Sequence, residues 1–205
     1  MLTNSIALYI KMQKKLLNNI TTINAGHPLR GSIENVSNGE VAVVQLKDVD
    51  FELGVQTNDM HRINLTGWKK PDYLQQGDIL FVSRGSRVFS VLVDVDLKDT
   101  IASPHFFIIR VKHPQILQPD YLAWFINHIK AQQYFSKHSS GSSLKHVTRQ
   151  TLENLPVIIP SRQQQELIVK LHRCQLKEKN LLLSIIEKKS HFLDKLLDNS
   201  LNPKD

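Results

Sequence analysis

Two aspartates and a lysine in the first half of the chain are residue types that could hydrolyse a phosphodiester with a metal ion. Asp72 follows a proline, and Asp96 and Lys98 stand two residues apart further along the chain. Carboxylate oxygens bind Mg²⁺, and a lysine can position the attacking water. The same residue types also occur by chance in polar turns. A metal-dependent nuclease using Asp72, Asp96 and Lys98 is therefore one alternative, which predicts that Asp96→Ala abolishes DNA cleavage.

Other signatures of catalysis are missing from the sequence. It contains no glycine-rich phosphate loop and no paired Cys/His spacing suited to zinc, and its nine histidines are scattered. It also lacks the Asn/Asp-Pro-Pro-Tyr signature of amino-methyltransferases. These patterns favour a non-catalytic protein, for which we expect no cofactor and no bound metal.

The cysteine content and hydropathy bear on the compartment. Cys174 is the only cysteine, so an intrachain disulfide is impossible and a reducing cytoplasm is the expected location. No apolar run approaches the roughly 18 residues of a membrane span. We therefore expect a cytoplasmic protein that does not insert into a membrane.

Basic residues suggest a polyanionic partner. The chain has 26 Lys+Arg against 19 Asp+Glu, a net charge of +7. No acidic residue lies between Asp120 and Glu153, and a local positive field of this kind attracts phosphates. A chance gap in the acids is the alternative. The candidate phosphate-binding residues are Lys69, Lys70, Lys130, Lys137 and Arg149.

Two short loops carry candidate base-contacting residues. Arginine can donate two parallel hydrogen bonds to guanine, and a flanking glycine lets the backbone approach closely. An arginine at a solvated strand edge is the alternative explanation for the first loop. The candidates are Ser83, Arg84 and Arg87 in the first loop, and Ser142, Ser143, Lys145 and His146 in the second.

A series of short strands is predicted to position these loops. Runs rich in Val, Ile and Phe, bounded by Gly, Pro or Asp, predict strands at 41–46, 79–83, 88–95 and 105–111. Gly77-Asp78 is expected to form a turn, followed by core residues. Residues 155–160 predict one more strand, which lies between prolines.

Three helices are predicted around these strands. Apolar spacing predicts an amphipathic helix over 5–18 and another that starts near Asp120, includes Ile129 in its apolar face and ends before 139. Thr148 is expected to cap a short helix over 148–154. The sequence thus predicts an α+β class, with one mixed domain over 1–160.

The last part of the chain predicts a long coiled-coil-type helix over 161–205. No Gly or Pro occurs from Ser161 to Ser200, and such a helix would extend about 60 Å. Glu178 and Lys188 interrupt the heptads, so two helices broken near 177–180 are the alternative. The apolar residues of this dimerisation or spacer segment are Leu167, Ile168, Leu171, Leu181, Leu182, Ile185, Phe192 and Leu196.

Three segments occur in a familiar order: GDILFVSRGS (77–86), PDYLAWFINH (119–128) and the stretch 139–169. Together they resemble the target recognition domain and following helix of type I restriction–modification specificity subunits. The resemblance implies a non-catalytic DNA-recognition subunit that acts on double-stranded DNA. It also implies a modification methyltransferase subunit and a restriction/translocase subunit as partners.

The chain departs from that family in two respects. Family members have two recognition domains and two helices, whereas this sequence resembles a half-subunit. Gln163 and Gln164 stand where Pro and Glu are typical, which is expected to weaken the capping of the long helix.

A half-subunit suggests a homodimer. Antiparallel pairing of two long helices would hold two recognition domains apart, so the expected target is a split palindrome with a fixed spacer. A helical interaction or regulatory protein that never binds DNA is the remaining alternative.

Overall fold

A computed structural model describes residues 13–29, 31, 33–65, 71–138 and 145–201 of the chain. It divides into two compact units, Met1–Glu166 and Leu167–Asp205. The first unit combines strands with short helices, and the described part of the second is helical, so the predicted α+β class is confirmed. The division predicted at residue 160 stays a prediction.

Strands are the most numerous elements described in the first unit, and the four predicted between 41 and 111 are present in shorter form. Their bounds are β1 Gln13–Leu16, β2 Thr21–Ala25, β3 Val41–Val44, β4 Val49–Asp50, β5 Gly54–Val55, β6 His61–Ile63, β7 Ile79–Val82, β8 Arg84–Gly85, β9 Phe89–Leu92, β10 Thr100–Ala102, β11 Phe106–Val111, β12 Lys145–His146 and β13 Pro156–Ile159.

The helices are fewer and mostly short. Their bounds are α1 Leu17–Ile20, α2 Pro119–Asn127, α3 Ile129–His138, α4 Arg149–Glu153 and α5 Arg162–Leu201, with a 3-10 turn at Leu46–Asp48. None of the described helices is long and apolar enough to cross a membrane.

An antiparallel sheet in the order β2-β11-β7-β9 forms the centre of the first unit. All four residues of β7 are buried, as expected for a continuous apolar run in a central strand. The predicted turn at Gly77-Asp78 precedes β7, and Gly77 has φ +94°, a conformation that glycine adopts without strain. The predicted turn and core positions are therefore confirmed.

Smaller sheets surround this centre. β10 pairs in parallel with β3, which pairs antiparallel with β6. Three two-stranded pairs also occur among the described residues: β4 with β5, β8 with β12, and β1 with β13. The last pair links the first described residues to the strand that precedes α5.

The helix predicted over 5–18 is wrong for residues 13–16. Residues 13–16 form β1, which pairs along its length with β13, and only Leu17–Ile20 is helical. The apolar residues suited either structure, and the strand gains the hydrogen bonds of a partner that local spacing could not indicate. Residues 5–12 lie outside the described part of the chain.

The helix predicted from Asp120 is divided into α2 and α3 at His128, whose backbone is extended. At the end of α2 the side-chain amide of Asn127 accepts a hydrogen bond from Ser90 N and donates one to Ser90 O, both at 2.8 Å. The Asn127 amide thus forms two hydrogen bonds with the β9 backbone, as a neighbouring strand would. Ile129, predicted in the apolar face, is 60% exposed.

The start of α5 is capped, contrary to the expectation from Gln164. Its Oε1 accepts hydrogen bonds from Ser161 N and Oγ at 3.1 Å, and Ser161 Oγ accepts one from Gln164 N at 3.3 Å. This is a capping box with glutamine, instead of glutamate, at the third helical position. The next residue, Gln165, is fully buried and donates to Ile116 O and Pro160 O.

Replacing Gln164 with alanine removes half of this capping box. We expect Gln164→Ala to lower the free energy of unfolding by about 0.5–1 kcal/mol, the usual cost of a lost cap less the helix preference of alanine. Urea denaturation measures the change. The exposed neighbour gives the control, Gln163→Ala, and equal losses in both variants would show that the cap is not the cause.

Helix α5 is continuous through 177–180, so the alternative of two broken helices is not what forms. The apolar residues predicted to lie along it are exposed, with Ile168 half-buried. An isolated helix of this length with an apolar stripe is stabilised by covering that stripe.

Candidate nucleic-acid interface

The pairing of β8 with β12 joins the two loops in which base-contacting residues were predicted. Arg84 lies opposite His146 and Gly85 opposite Lys145. Beyond the pair, Val147 N donates to Ser83 O at 2.9 Å. We call residues 84–87 and 145–149 the two-loop surface. The structure thus brings together two patches that are far apart in the sequence.

Individual residues of the first loop differ in exposure. Arg84 and Arg87 are exposed, whereas Ser83 is only 7% exposed. A buried hydroxyl of this kind disfavours the predicted contact between Ser83 and a base. Gly85 has φ +141°, which residues with a side chain rarely adopt, so glycine is needed for this loop.

Arg87 stacks on an aromatic ring that sequence reasoning did not single out. Its Cζ lies 3.4 Å from the centroid of the Phe51 ring. Phe51 in turn meets Phe89 edge-on, with ring centroids 5.9 Å apart and planes at 84°. The turn residues Asp50 and Gly54 could have indicated a hairpin at Phe51, but not its contact with Arg87.

Helix α3 presents its two lysines on one face. Lys130 and Lys137 are exposed and seven residues apart, which is about two helical turns, and Tyr134 lies between them on the same side. Tyr134 Oη donates to Thr151 O at 3.1 Å, so this face is directed towards α4. Tyr134, which lies between the two lysines in the sequence, therefore joins α3 to α4.

Helix α4 starts at the two-loop surface. Thr148 caps it as predicted, with Oγ1 accepting a hydrogen bond from Thr151 N. Arg149 pairs with Glu153 at 2.8 Å, and its side chain is 54% exposed. An exposed pair of this type contributes only about 0.3–0.5 kcal/mol, so Arg149 can exchange Glu153 for a phosphate at little cost.

His128 adds little positive charge to this region at neutral pH. Burial, and then the neighbouring charge of Lys130, lower the pKa of His128 below its usual value. Lys130 and Lys137 therefore supply positive charge on α3 that does not depend on His128.

Five of the predicted residues have no described side chain. Lys69, Lys70, Ser142 and Ser143 lie outside the described residues, and Lys145 is described by its backbone alone. His146 is half-buried beside Arg84.

A buried ion pair supports the base of the first loop. Asp78 is 1% exposed, and Arg110 on β11 donates to it from Nε at 2.6 Å and Nη2 at 2.7 Å. The hydrogen bond to Asp78 is the main cause of the raised pKa of Arg110, partly opposed by burial. Because Asp78 immediately precedes β7, this pair fixes the strand from which the loop at 83–88 emerges.

The nuclease alternative receives no geometric support. Asp72 accepts a hydrogen bond from Asn24 Nδ2 at 2.8 Å and lies 3.6 Å from Arg110, as part of the same ion-pair network. Asp96 and Lys98 are exposed. Within the described ranges, no group of three or more His, Cys, Asp or Glu side chains could hold a metal ion.

Comparison with protein families decides the relationship. The family described as "Type I restriction modification DNA specificity domain" matches residues 54–172, more than half of the chain. The chain belongs to this family. No curated protein matches it.

Solved structures of type I specificity subunits share the fold. The S subunit from M. genitalium matches with a TM-score of 0.59 and 15% identity over 97% of this chain. The HsdS subunit from Thermoanaerobacter tengcongensis matches with a TM-score of 0.64 and 16% identity over 100% of this chain. A third structure, on the assembly and conformational transition of the type I R-M system, matches with a TM-score of 0.67 and 14% identity over 95%.

The chain spans about half the length of these matched chains, with coverage of 48%, 53% and 50% of the three in turn. The specificity family is the non-catalytic component of type I restriction–modification systems. This agrees with the expectation of a protein that is not itself an enzyme.

Proposed function

We propose that this chain recognises one half of a bipartite DNA site for a type I restriction–modification complex. The observation that carries the proposal is the β8–β12 pairing, which brings Arg84 opposite His146, with the exposed Arg87 three residues along the same loop. Arginine edges on a loop can contact bases in the major groove, while the exposed Lys130 and Lys137 neutralise phosphates. Family membership supports DNA as the ligand.

We propose that α5 pairs with α5 of a second copy. With 3.6 residues per turn, one set of apolar residues falls within about 80° of helix circumference. We call this set the α5 seam; it consists of Leu167, Leu171, Leu181, Ile185, Phe192 and Leu196, which are 47–61% exposed. Leu182 and Ile168 flank the seam. A homodimer covers both seams, whereas a monomer leaves them in water.

Two-fold symmetry then defines the target. An antiparallel pair of helices, each about 60 Å long, holds two identical surfaces in opposite orientation. The two half-sites are therefore inverted copies of one sequence, separated by a fixed spacer. The chemistry comes from a modification methyltransferase subunit and, in the restricting complex, from a restriction/translocase subunit. The matching structure of a type I R-M assembly supports partners of this kind.

Salt dependence of binding tests the phosphate contacts. For the chain purified with its methyltransferase subunit, the double variant Lys130→Gln/Lys137→Gln should weaken binding to all duplexes alike. The slope of log affinity against log salt should fall by about 0.9 for each lysine that contacts a phosphate. Fluorescence anisotropy at several salt concentrations measures both effects.

The control keeps the charge: Lys130→Arg/Lys137→Arg should retain the slope of the wild type. If the wild-type complex shows no affinity for duplex DNA at low salt, the chain is an interaction or regulatory protein and the proposal fails.

A further inference from the structure

Arg84 and Arg87 are both exposed, but the surrounding residues hold Arg87 in a defined way. The Arg87 guanidinium lies on the face of the Phe51 ring, 3.4 Å from its centroid. This contact places the Cζ atom over the ring. The N–H groups of the guanidinium that do not face the ring can donate to another group.

The ring under Arg87 is itself fixed. Phe51 meets Phe89 edge-on, and Phe89 packs against the hydrophobic core beneath β9. Asp50 Oδ1 accepts hydrogen bonds from Glu52 N at 2.7 Å and Leu53 N at 2.8 Å, which holds the turn between β4 and β5. Phe51 is therefore a platform anchored from the core and from the hairpin.

The donors of a guanidinium held in this way match the acceptors of one base, guanine. Guanine presents two acceptors, O6 and N7, side by side in the major groove, and arginine can donate to both at once. A free arginine loses side-chain entropy when it makes this contact. An arginine that already lies on a ring loses less, so the stack increases the gain from the correct base.

We propose that Phe51 positions Arg87 to recognise a guanine in each half-site. The inference rests on the proposed function, since it names the base that the two-loop surface contacts. Arg87 is the specificity-determining residue, and Phe51 is a positioning residue that acts through it.

Binding to a library of randomised duplexes tests this, with the full chain in complex with its methyltransferase subunit. Phe51→Leu removes the ring, Phe51→Trp keeps an aromatic face, and Arg87→Lys keeps the charge but loses the paired donors. Leu53→Ala is the control, because Leu53 is 65% exposed in the same hairpin. We expect Phe51→Leu and Arg87→Lys to lose about tenfold in preference for guanine at the same motif position. Phe51→Trp and Leu53→Ala should keep that preference.

The outcomes separate this inference from the proposed function. An unchanged guanine preference in Phe51→Leu, or an equal loss at every motif position, overturns the positioning role alone. Should Phe51→Leu fail to fold, Arg87→Lys decides, and an unchanged preference in that variant overturns the inference. A wild-type complex without any sequence preference overturns the inference and the proposed function together.

Discussion

The double variant Leu181→Lys/Ile185→Lys is expected to convert the chain from a dimer to a monomer. Both residues lie at the centre of the α5 seam and are exposed within one chain. In the proposed dimer each variant copy loses two buried side chains, so four are lost in total. At about 1.5–3 kcal/mol for each side chain, the loss is at least about 6 kcal/mol, or about four orders of magnitude in the dissociation constant.

Sedimentation or light scattering at micromolar concentration measures the change in mass. The matched control is Asn180→Lys/Glu187→Gln, which makes the same change in charge on the opposite face of α5. The control should remain a dimer. A wild-type chain that is a monomer both alone and with its methyltransferase subunit contradicts the seam as a dimer interface.

DNA binding should change together with the oligomeric state. The monomeric variant should keep its affinity for a single half-site, since the two-loop surface is intact. Its advantage on the complete site should disappear, because two linked surfaces bind a bipartite site far more tightly than one. Equal affinity of wild type and variant for the complete site would contradict the role of the dimer.

The largest effect on folding stability is expected from Asp78→Ala. The substitution leaves Arg110 without its main partner and Gln75 N without the acceptor that lies at 2.8 Å. Breaking a buried pair costs about 3–5 kcal/mol, and the partial exposure of Arg110 reduces this to about 2–4 kcal/mol. Urea denaturation of the purified chain measures the loss.

Asp72→Asn is the matched control, because Asp72 is the more exposed and more distant partner of Arg110, at 3.6 Å. An asparagine there still accepts the hydrogen bond from Asn24. We expect a loss below about 1 kcal/mol. Equal losses in the two variants would contradict the central role of Asp78.

Features with a local cause could be predicted from the sequence. The buried run at β7 and the Thr148 cap depend on residues that lie close together in the chain. The capping box at Ser161 was equally local. Because the family typically has Pro and Glu at these two positions, weaker capping was expected here, although glutamine accepts the same hydrogen bonds.

Features that depend on residues far apart in the sequence could not be predicted. Residues 13–16 form a strand because they pair with β13, which lies at the other end of the first unit in the sequence. The helix starting near Asp120 divides at His128, next to Asn127, whose side chain bonds to Ser90 on β9. Neither β13 nor Ser90 can be identified as a partner from the spacing of apolar residues within one segment.

The candidate site shows the same limit. The sequence indicated the arginines of the first loop and His146 by residue type. It did not indicate that β8 would pair with β12, nor that Phe51 would lie under Arg87. Residue type also could not show that Ser83 is buried, since its neighbours in the chain are both polar and apolar.

The sequence motif modified in DNA tests the central claim most directly. The chain should be co-expressed with the methyltransferase subunit of its own system, and modified adenines mapped at single-molecule resolution. Two inverted copies of one short sequence, separated by a spacer of constant length, are the predicted motif. Modification without sequence preference, or a motif whose two halves differ, would contradict recognition by two copies of this chain.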